Sequence, residues 1–191
     1  MKTRLIRSVR GVTLIEGLVT IAILALVLLV AGPSMVEWIA VQRVKSTASE
    51  LVTDLQFARS EAARRNRVVR IAFKTSADQT CYTIHTATMA MPCSCLLGSG
   101  SACNDSDGNK RPNLEELKTS SFPTGGRVSI SRNNDLFITP EQGLPMGLNT
   151  MQIDISGGEN RSLRVVTNPA GRPQICKPST STIGGVSPCS E

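Results

Sequence analysis

The chain has 191 residues, enough for one domain of ordinary size together with an anchoring segment. Its formal charge is +6, but Lys2, Arg4, Arg7 and Arg10 supply four of these charges, which leaves +2 for the chain after residue 11. With only 3% aromatic residues as well, the composition gives no support for nucleic-acid binding by overall charge or by base stacking.

Residues 12–33 are predicted to form a membrane-spanning helix. They contain the apolar run "LVTIAILALVLLVA" at 18–31, and a helix over this segment is about 31 Å long, enough to cross the hydrocarbon core. The basic residues before it would stay in the cytoplasm and place the rest of the chain outside the inner membrane. The alternative is an ordinary secretory signal peptide cut near residues 30–32.

Two residues interrupt this apolar segment. Glu16 places a carboxylate where loss of water is costly, and Pro33 removes one backbone hydrogen bond and predicts a kink. The position of the Glu16 carboxylate within this apolar segment is not expected in a simple membrane anchor.

Residues 34–66 are predicted to continue as an amphipathic helix that packs on the sheet of its own domain and ends near Asn66. The apolar stripe consists of Val41, Val44, Ala48, Leu51, Leu55, Ala58 and Ala62. The polar residues between them are predicted to form a solvated face: Gln42, Arg43, Lys45, Glu50, Asp54, Gln56, Arg59 and Glu61.

Residues 67–191 are predicted to form a β-rich head. Short β-branched segments separated by turn-forming residues predict strands at 67–73, 81–87, 127–131, 135–139, 149–155 and 162–168. Strands that follow one long helix predict an α+β fold with a mainly antiparallel sheet. Residues 88–126 are rich in Gly, Ser and Asn and are predicted to be an irregular insertion held by disulfides.

All six cysteines lie after residue 80: Cys81, Cys93, Cys95, Cys103, Cys176 and Cys189. An even number in the part that follows a membrane segment indicates an oxidising compartment and disulfides. The least entangled pairing joins Cys176 to Cys189 and leaves two bridges among the other four. A zinc site formed by those four cysteines and His85 is the alternative, although their spacing does not match paired C-x2-C motifs.

The sequence contains no recognisable catalytic constellation. His85, the single histidine, is expected to be an ordinary strand residue, since a catalytic triad requires positioned partners. Residues 105–116 carry acids at three positions of an EF-hand-like loop, Asp105, Asp107 and Glu116, but Lys110 occupies the position that requires glycine. A polar surface turn is therefore favoured over a calcium site, and no metal or other cofactor is predicted.

The N-terminal pattern resembles the class III signal of type IV pilins and type II secretion pseudopilins: a basic leader ending in Gly11, then "VTLIE" and an apolar helix. The resemblance implies that prepilin peptidase cuts between Gly11 and Val12, methylates Val12 and leaves the helix in the mature protein. It also implies that Glu16 pairs with the N-terminal amine of a neighbouring subunit and that Pro33 is the helix-kinking proline. Phe is more usual than Val at the first mature position, and Leu often stands where this chain has Gly17.

Most of the remaining chain resembles the GspH/FimT branch of these proteins. The segments are "SELVTDLQFARSEAARRNRVVRIAF", "FITPEQG" and "RVVTNPAGRPQIC". This resemblance implies a non-enzymatic minor pilin or pseudopilin, a single-pass inner-membrane protein with a periplasmic head that later enters a fibre. Its implied partners are other pilins, prepilin peptidase and the inner-membrane assembly platform.

The FimT resemblance also implies an alternative function, DNA capture through a basic C-terminal loop. Gly171 and Arg172 match the G-R-x-R motif, but Gln174 replaces its second arginine. Further phosphate contacts could come from Arg161, Arg164 and Lys177. With so few cations, binding would be weak, salt-sensitive and independent of sequence.

Overall fold

The computed structural model describes residues 11, 13–86, 93–126, 128–132, 134–141, 151–158, 160–167 and 172–189. Outside the described residues lie most of the predicted leader, Val12, the first residues of the predicted insertion and Gly171. The chain divides into two compact units, Met1–Ile39 and Ala40–Glu191, and helix α1 (Leu14–Arg65) contributes to both.

In the first unit, helix α1 begins at Leu14 after Thr13, whose hydroxyl accepts a hydrogen bond from the Glu16 backbone N–H at 3.4 Å. Thr followed three residues later by Glu is the capping-box pattern, which explains why the helix begins here. By length and hydropathy no single helix of the described chain qualifies as a membrane span. A bend divides α1 into the segments Leu14–Leu29 and Ser34–Arg65, and these two segments qualify as a membrane span only when they are taken together.

In the second unit, the predicted apolar stripe of α1 is confirmed. Val41 is half-buried. The other six residues of the stripe are buried in the core: Val44, Ala48, Leu51, Leu55, Ala58 and Ala62. The helix ends at Arg65, because Asn66 adopts a left-handed backbone with φ 50°. The N–H groups of Asn66 and Arg67 then bond the carbonyls of Ala63 and Ala62, which satisfies the last helical carbonyls in a Schellman motif.

Within the described residues, the head contains eight strands in two four-stranded sheets. The strands are β1 (Val69–Thr75), β2 (Gln79–Thr86), β3 (Glu116–Pro123), β4 (Ser129–Ser131), β5 (Leu136–Ile138), β6 (Gln152–Ser156), β7 (Ser162–Thr167) and β8 (Pro173–Cys176). The first sheet has the order β3-β2-β1-β5 and the second the order β4-β6-β7-β8. Every neighbouring pair is antiparallel, which confirms the predicted α+β class with a helix packed on antiparallel sheet.

All six predicted strands are present with shifted ends, but two strands were not predicted. Strand β3 lies within residues 88–126, so the prediction that this whole segment is irregular is wrong. It is an edge strand in which only Leu117 and Phe122 pack against the core, and only partly. Strand β8 has four residues and begins with Pro173. Short or polar edge strands lack the apolar alternation that reveals a strand in sequence.

Three disulfides join all six cysteines: Cys81–Cys95, Cys93–Cys103 and Cys176–Cys189. The predicted bridge near the C-terminus is confirmed, and the other four cysteines form two bridges as expected. Cys93 and Cys103 also form a small separate core with Ala102, against which Leu114 packs. The disulfides thus give residues 93–115, which contain little apolar sequence, an interior of their own.

Candidate functional site

The first unit exposes apolar side chains around the whole circumference of its helix. The large exposed side chains between residues 14 and 29 are Leu14, Ile15, Leu18, Val19, Ile21, Ile23, Leu24, Leu26, Val27, Leu28 and Leu29. A helix that is apolar on all sides requires lipid or other helices around it, because water solvates such a surface poorly. This surface is the main candidate site of the molecule.

Gly11 and Glu16, the predicted processing and assembly residues, stand at the start of this helix. Both are exposed, and a Cβ added at Gly11 would have no neighbouring atom within 4 Å. Glu16 lies in the first turn, where its negative charge complements the positive end of the helix dipole. The Glu16 backbone N–H also donates to the Thr13 hydroxyl, a local contact that the sequence did not predict. Pro33 lies within the bounds of α1.

Asp54 does not lie on a solvated face, so that prediction is wrong for this residue. Its side chain is buried, with 3% of the residue exposed, and it accepts hydrogen bonds from Tyr82 Oη at 2.7 Å and from Lys118 Nζ at 2.6 Å. Burial, with a smaller contribution from the Asp54 carboxylate, raises the pKa of Tyr82, so its hydroxyl stays protonated and donates. The carboxylate therefore links the helix to strands β2 and β3.

Glu61 was also predicted to be solvated and is instead buried at the end of the helix, which corrects that prediction too. Its carboxylate accepts from Arg64 Nη2 at 2.7 Å and from Arg65 Nε at 2.6 Å, and Arg65 also pairs with Glu115. The hydrogen bonds from Arg64 and then Arg65 lower the pKa of Glu61 to about 2. Two basic residues in the last turn also complement the negative end of the helix dipole.

His85 is a fully buried residue of β2, and burial lowers its pKa, which favours the neutral ring. Its Nδ1 lies 2.9 Å from the Thr86 carbonyl oxygen, and its Nε2 accepts the Cys93 N–H at 3.4 Å. A ring nitrogen of His85 and the sulfurs of Cys93 and Cys103 all lie within 4.8 Å of one another. Because disulfides occupy all four cysteines of the zinc alternative, no thiolate is left to bind zinc, and that interpretation is wrong for this structure.

The acidic segment 105–116 forms a polar turn. Asp105 Oδ1 accepts the N–H groups of Asp107 and Asn109 at 3.0 and 2.8 Å. The Glu116 carboxylate instead accepts the N–H groups of Gly100 and Ala102 at 2.9 and 3.0 Å. The two carboxylates hold different backbone segments, as the surface-turn interpretation requires.

A cleft of about 320 Å³ lies beside this segment, with Lys110, Glu115, Glu116 and Lys118 among its lining residues. Three of these side chains are already paired: Glu115 with Arg65, Glu116 with backbone amides and Lys118 with Asp54. The described lining therefore resembles a structural junction more than a site with groups poised for acid–base chemistry.

Of the four cations proposed for DNA, Arg164 lies in β7 and the other three lie next to the ends of β7 and β8. Arg164 binds Asp154 through two hydrogen bonds of 2.6 and 3.3 Å, and Arg161 Nε donates to the Gly157 carbonyl at 3.3 Å. Arg172 is exposed immediately before β8, and Lys177 is half-buried immediately after it. Five residues of extended chain place these two about 16 Å apart, so the four do not converge on one point.

Comparison with known proteins agrees with this architecture. The model of the family "Type II transport protein GspH" matches residues 47–171, and that of the "Prokaryotic N-terminal methylation motif" matches residues 6–32. No curated protein sequence matches the chain.

Two solved structures of the type IV minor pilin FimU from Pseudomonas aeruginosa (strain PAO1) are similar to the chain. The first is 18% identical with a TM-score of 0.50 and covers 75% of this chain and 95% of its own. The second is 19% identical with a TM-score of 0.46 and covers 74% of this chain and 98% of its own. At this identity the first structure supports the fold alone. Since the family model spans more than half of the sequence, the chain belongs to the GspH family of type II transport proteins and carries the prokaryotic N-terminal methylation motif.

Proposed function

We propose that this chain is a non-enzymatic minor subunit of a type IV pilus or of a type II secretion pseudopilus. The observation that carries the proposal is the helix that follows the methylation motif and exposes apolar side chains on all sides, while the head has a complete core of its own. A surface of this kind is suited to residence first in lipid and then among the helices of other subunits.

In this proposal the precursor crosses the inner membrane once, with its basic N-terminus in the cytoplasm and its head in the periplasm. The three disulfides of the head suit that oxidising compartment. Prepilin peptidase cuts between Gly11 and Val12 and methylates Val12. The assembly platform then moves the subunit into a fibre, where neighbouring helices cover its apolar surface again.

Glu16 is proposed to pair with the N-terminal amine of a neighbouring subunit. Cleavage at Gly11 creates a cationic group near the start of each helix, and a carboxylate in lipid gains from such a partner. The ion pair would favour one register between adjacent helices.

Substitution of Gly11 tests the processing step. Gly11→Val should leave the full-length precursor in membranes, whereas the wild type and the control Gly17→Val should begin at N-methylated Val12, as read by mass spectrometry of the N-terminal peptide. A Cβ at either glycine would have no neighbouring atom within 4 Å, so misfolding would not explain a difference. A wild-type N-terminus near residue 33 would instead identify an ordinary signal peptide and contradict the proposal.

DNA binding by the head is the second candidate. It is favoured by the exposed position of Arg172 next to β8 and weakened by the ion pair that Arg164 makes with Asp154. A mobility-shift assay of the full chain in detergent at low salt tests it, with Arg172→Ala compared with Arg67→Ala, another exposed arginine. If this candidate is correct, Arg172→Ala alone weakens the shift severalfold, and no shift in the wild type eliminates it.

A further inference from the structure

The first unit contains the single tryptophan of the chain, Trp38, in an exposed position. Trp38 lies in helix α1 and has 59% of its surface exposed. Its neighbours Met35, Val36 and Ile39 are exposed as well. A large indole in water leaves apolar area unburied, so its position requires a physical explanation.

The spacing of charged residues gives that explanation. No charged side chain occurs between Glu16 and Glu37. The 21 helical residues from one acid to the other form about 31 Å of helix, and with the bend between Leu29 and Ser34 their span stays close to the thickness of the hydrocarbon core. A helix inserted along this segment therefore brings Trp38 to the outer limit of the hydrocarbon.

The chemistry of indole suits this depth. The ring is a large apolar body that can remain against acyl chains, while its single N–H can donate to headgroup or ester oxygens. Tryptophan is enriched at membrane–water interfaces for this reason. The boundary between acyl chains and headgroups thus satisfies both parts of a side chain that water or hydrocarbon alone would satisfy only in part.

We propose that Trp38 lies among the phospholipid headgroups at the periplasmic face of the inner membrane and sets the depth of the subunit before assembly. This inference rests on the proposed function, because it requires the helix to cross the membrane. Trp38 then marks the boundary between the segment that resides in lipid and the segment that begins the head.

The single tryptophan makes the depth measurable in the full-length chain. The protein is reconstituted into phosphatidylcholine–phosphatidylglycerol vesicles that carry bromine either deep in the acyl chains or near the headgroups, and quenching of tryptophan fluorescence is recorded. Two variants move the tryptophan while Phe replaces Trp38: Leu26→Trp/Trp38→Phe is the mid-membrane reference, and Gln42→Trp/Trp38→Phe is the aqueous reference. Leu26 and Gln42 are both exposed, so the added rings require no repacking.

We expect native Trp38 to be quenched severalfold more by the shallow than by the deep bromines, and the variant with tryptophan at position 26 to show the reverse. Native quenching equal to either reference would overturn the inference while leaving membrane insertion intact. Protection of Trp38 that grows with the protein-to-lipid ratio would also overturn it, because a second subunit would then cover the ring. Absence of quenching at position 26 would contradict insertion and with it the proposed function.

Discussion

At the scale of single residues, the Asp54 carboxylate is the hydrogen-bond acceptor for both Tyr82 and Lys118. Asp54→Ala leaves the buried Tyr82 hydroxyl without its acceptor and Lys118 without its closest carboxylate, so we expect a loss of about 2–3 kcal/mol in unfolding free energy. Glu50→Ala is the control, since this carboxylate is more exposed and 4.0 Å from Lys118, and should cost less than about 1 kcal/mol. Urea unfolding of the full chain in detergent, followed by near-ultraviolet circular dichroism, measures both. Equal losses would contradict this assignment.

Glu61 makes the stability of the head depend on pH in the acidic range. Its pKa in the folded state is about 2, below the ordinary 4.5, so the unfolded chain takes up a proton at a higher pH than the folded one. The stability that Glu61 contributes is therefore fully present above pH 4.5 and is lost as the pH falls from about 4.5 to about 2. Unfolding midpoints of wild type and Glu61→Gln should differ at neutral pH and converge near pH 2. The variant Asp107→Asn, in an exposed turn, controls for the loss of one carboxylate. A difference between the midpoints of wild type and Glu61→Gln that persists at pH 2 would show that it does not come from ionisation of Glu61.

At the scale of elements, the approach of helix α1 to the β6–β7 turn depends on Gly157. A Cβ built there would lie 2.2 Å from Val44 Cγ2, while the backbone of Gly157 does not have a positive φ. Gly157→Ala should therefore destabilise the head by about 1–3 kcal/mol through steric overlap alone. Gly125→Ala, at which an added Cβ meets nothing within 4 Å, should stay within about 0.5 kcal/mol of wild type.

A double-mutant cycle identifies the cause. Val44→Ala removes the clashing methyl groups, so the double variant Gly157→Ala/Val44→Ala should lose less stability than the sum of the two single variants, again by urea unfolding. Simple additivity would show that Gly157 serves another purpose.

The same elements show what sequence can and cannot predict. The spacing from Val44 to Ala62 identified the buried stripe, because helical periodicity is a local property of the chain. The burial of Asp54 was not predictable in the same way, since its partner Tyr82 is 28 residues away and enters only when the sheet packs on the helix. Strand β3 escaped prediction because an edge strand needs few apolar residues.

The candidate sites also contain features that the sequence predicts and features that depend on the fold. The apolar helix and the bridge Cys176–Cys189 followed from composition and short spacing. The position of Arg164 against Asp154 depends on the register of β6 and β7, so its ion pair could not be seen in the sequence.

At the scale of the whole molecule, fibre entry is expected to depend on the charge of Glu16. Glu16→Gln keeps a side chain that suits the capping box but cannot form an ion pair with an amine. We expect this variant to be processed and inserted normally yet to fall at least tenfold in sheared fibres, measured by quantitative mass spectrometry against the membrane fraction. Glu37→Gln is the matched control. Incorporation of Glu16→Gln at the wild-type level would show that the charge is not used in assembly.

The buried stripe of α1 also has a mechanical consequence. From Val44 to Ala62 it packs into the head core along about 27 Å of helix, and Lys45 Nζ adds a hydrogen bond to the Gly184 carbonyl at 3.0 Å, in the loop closed by Cys176–Cys189. Tension applied along the helix axis would load these contacts together in shear instead of separating them one after another. In a fibre under load, the head would therefore move together with residues 44–62 of the helix.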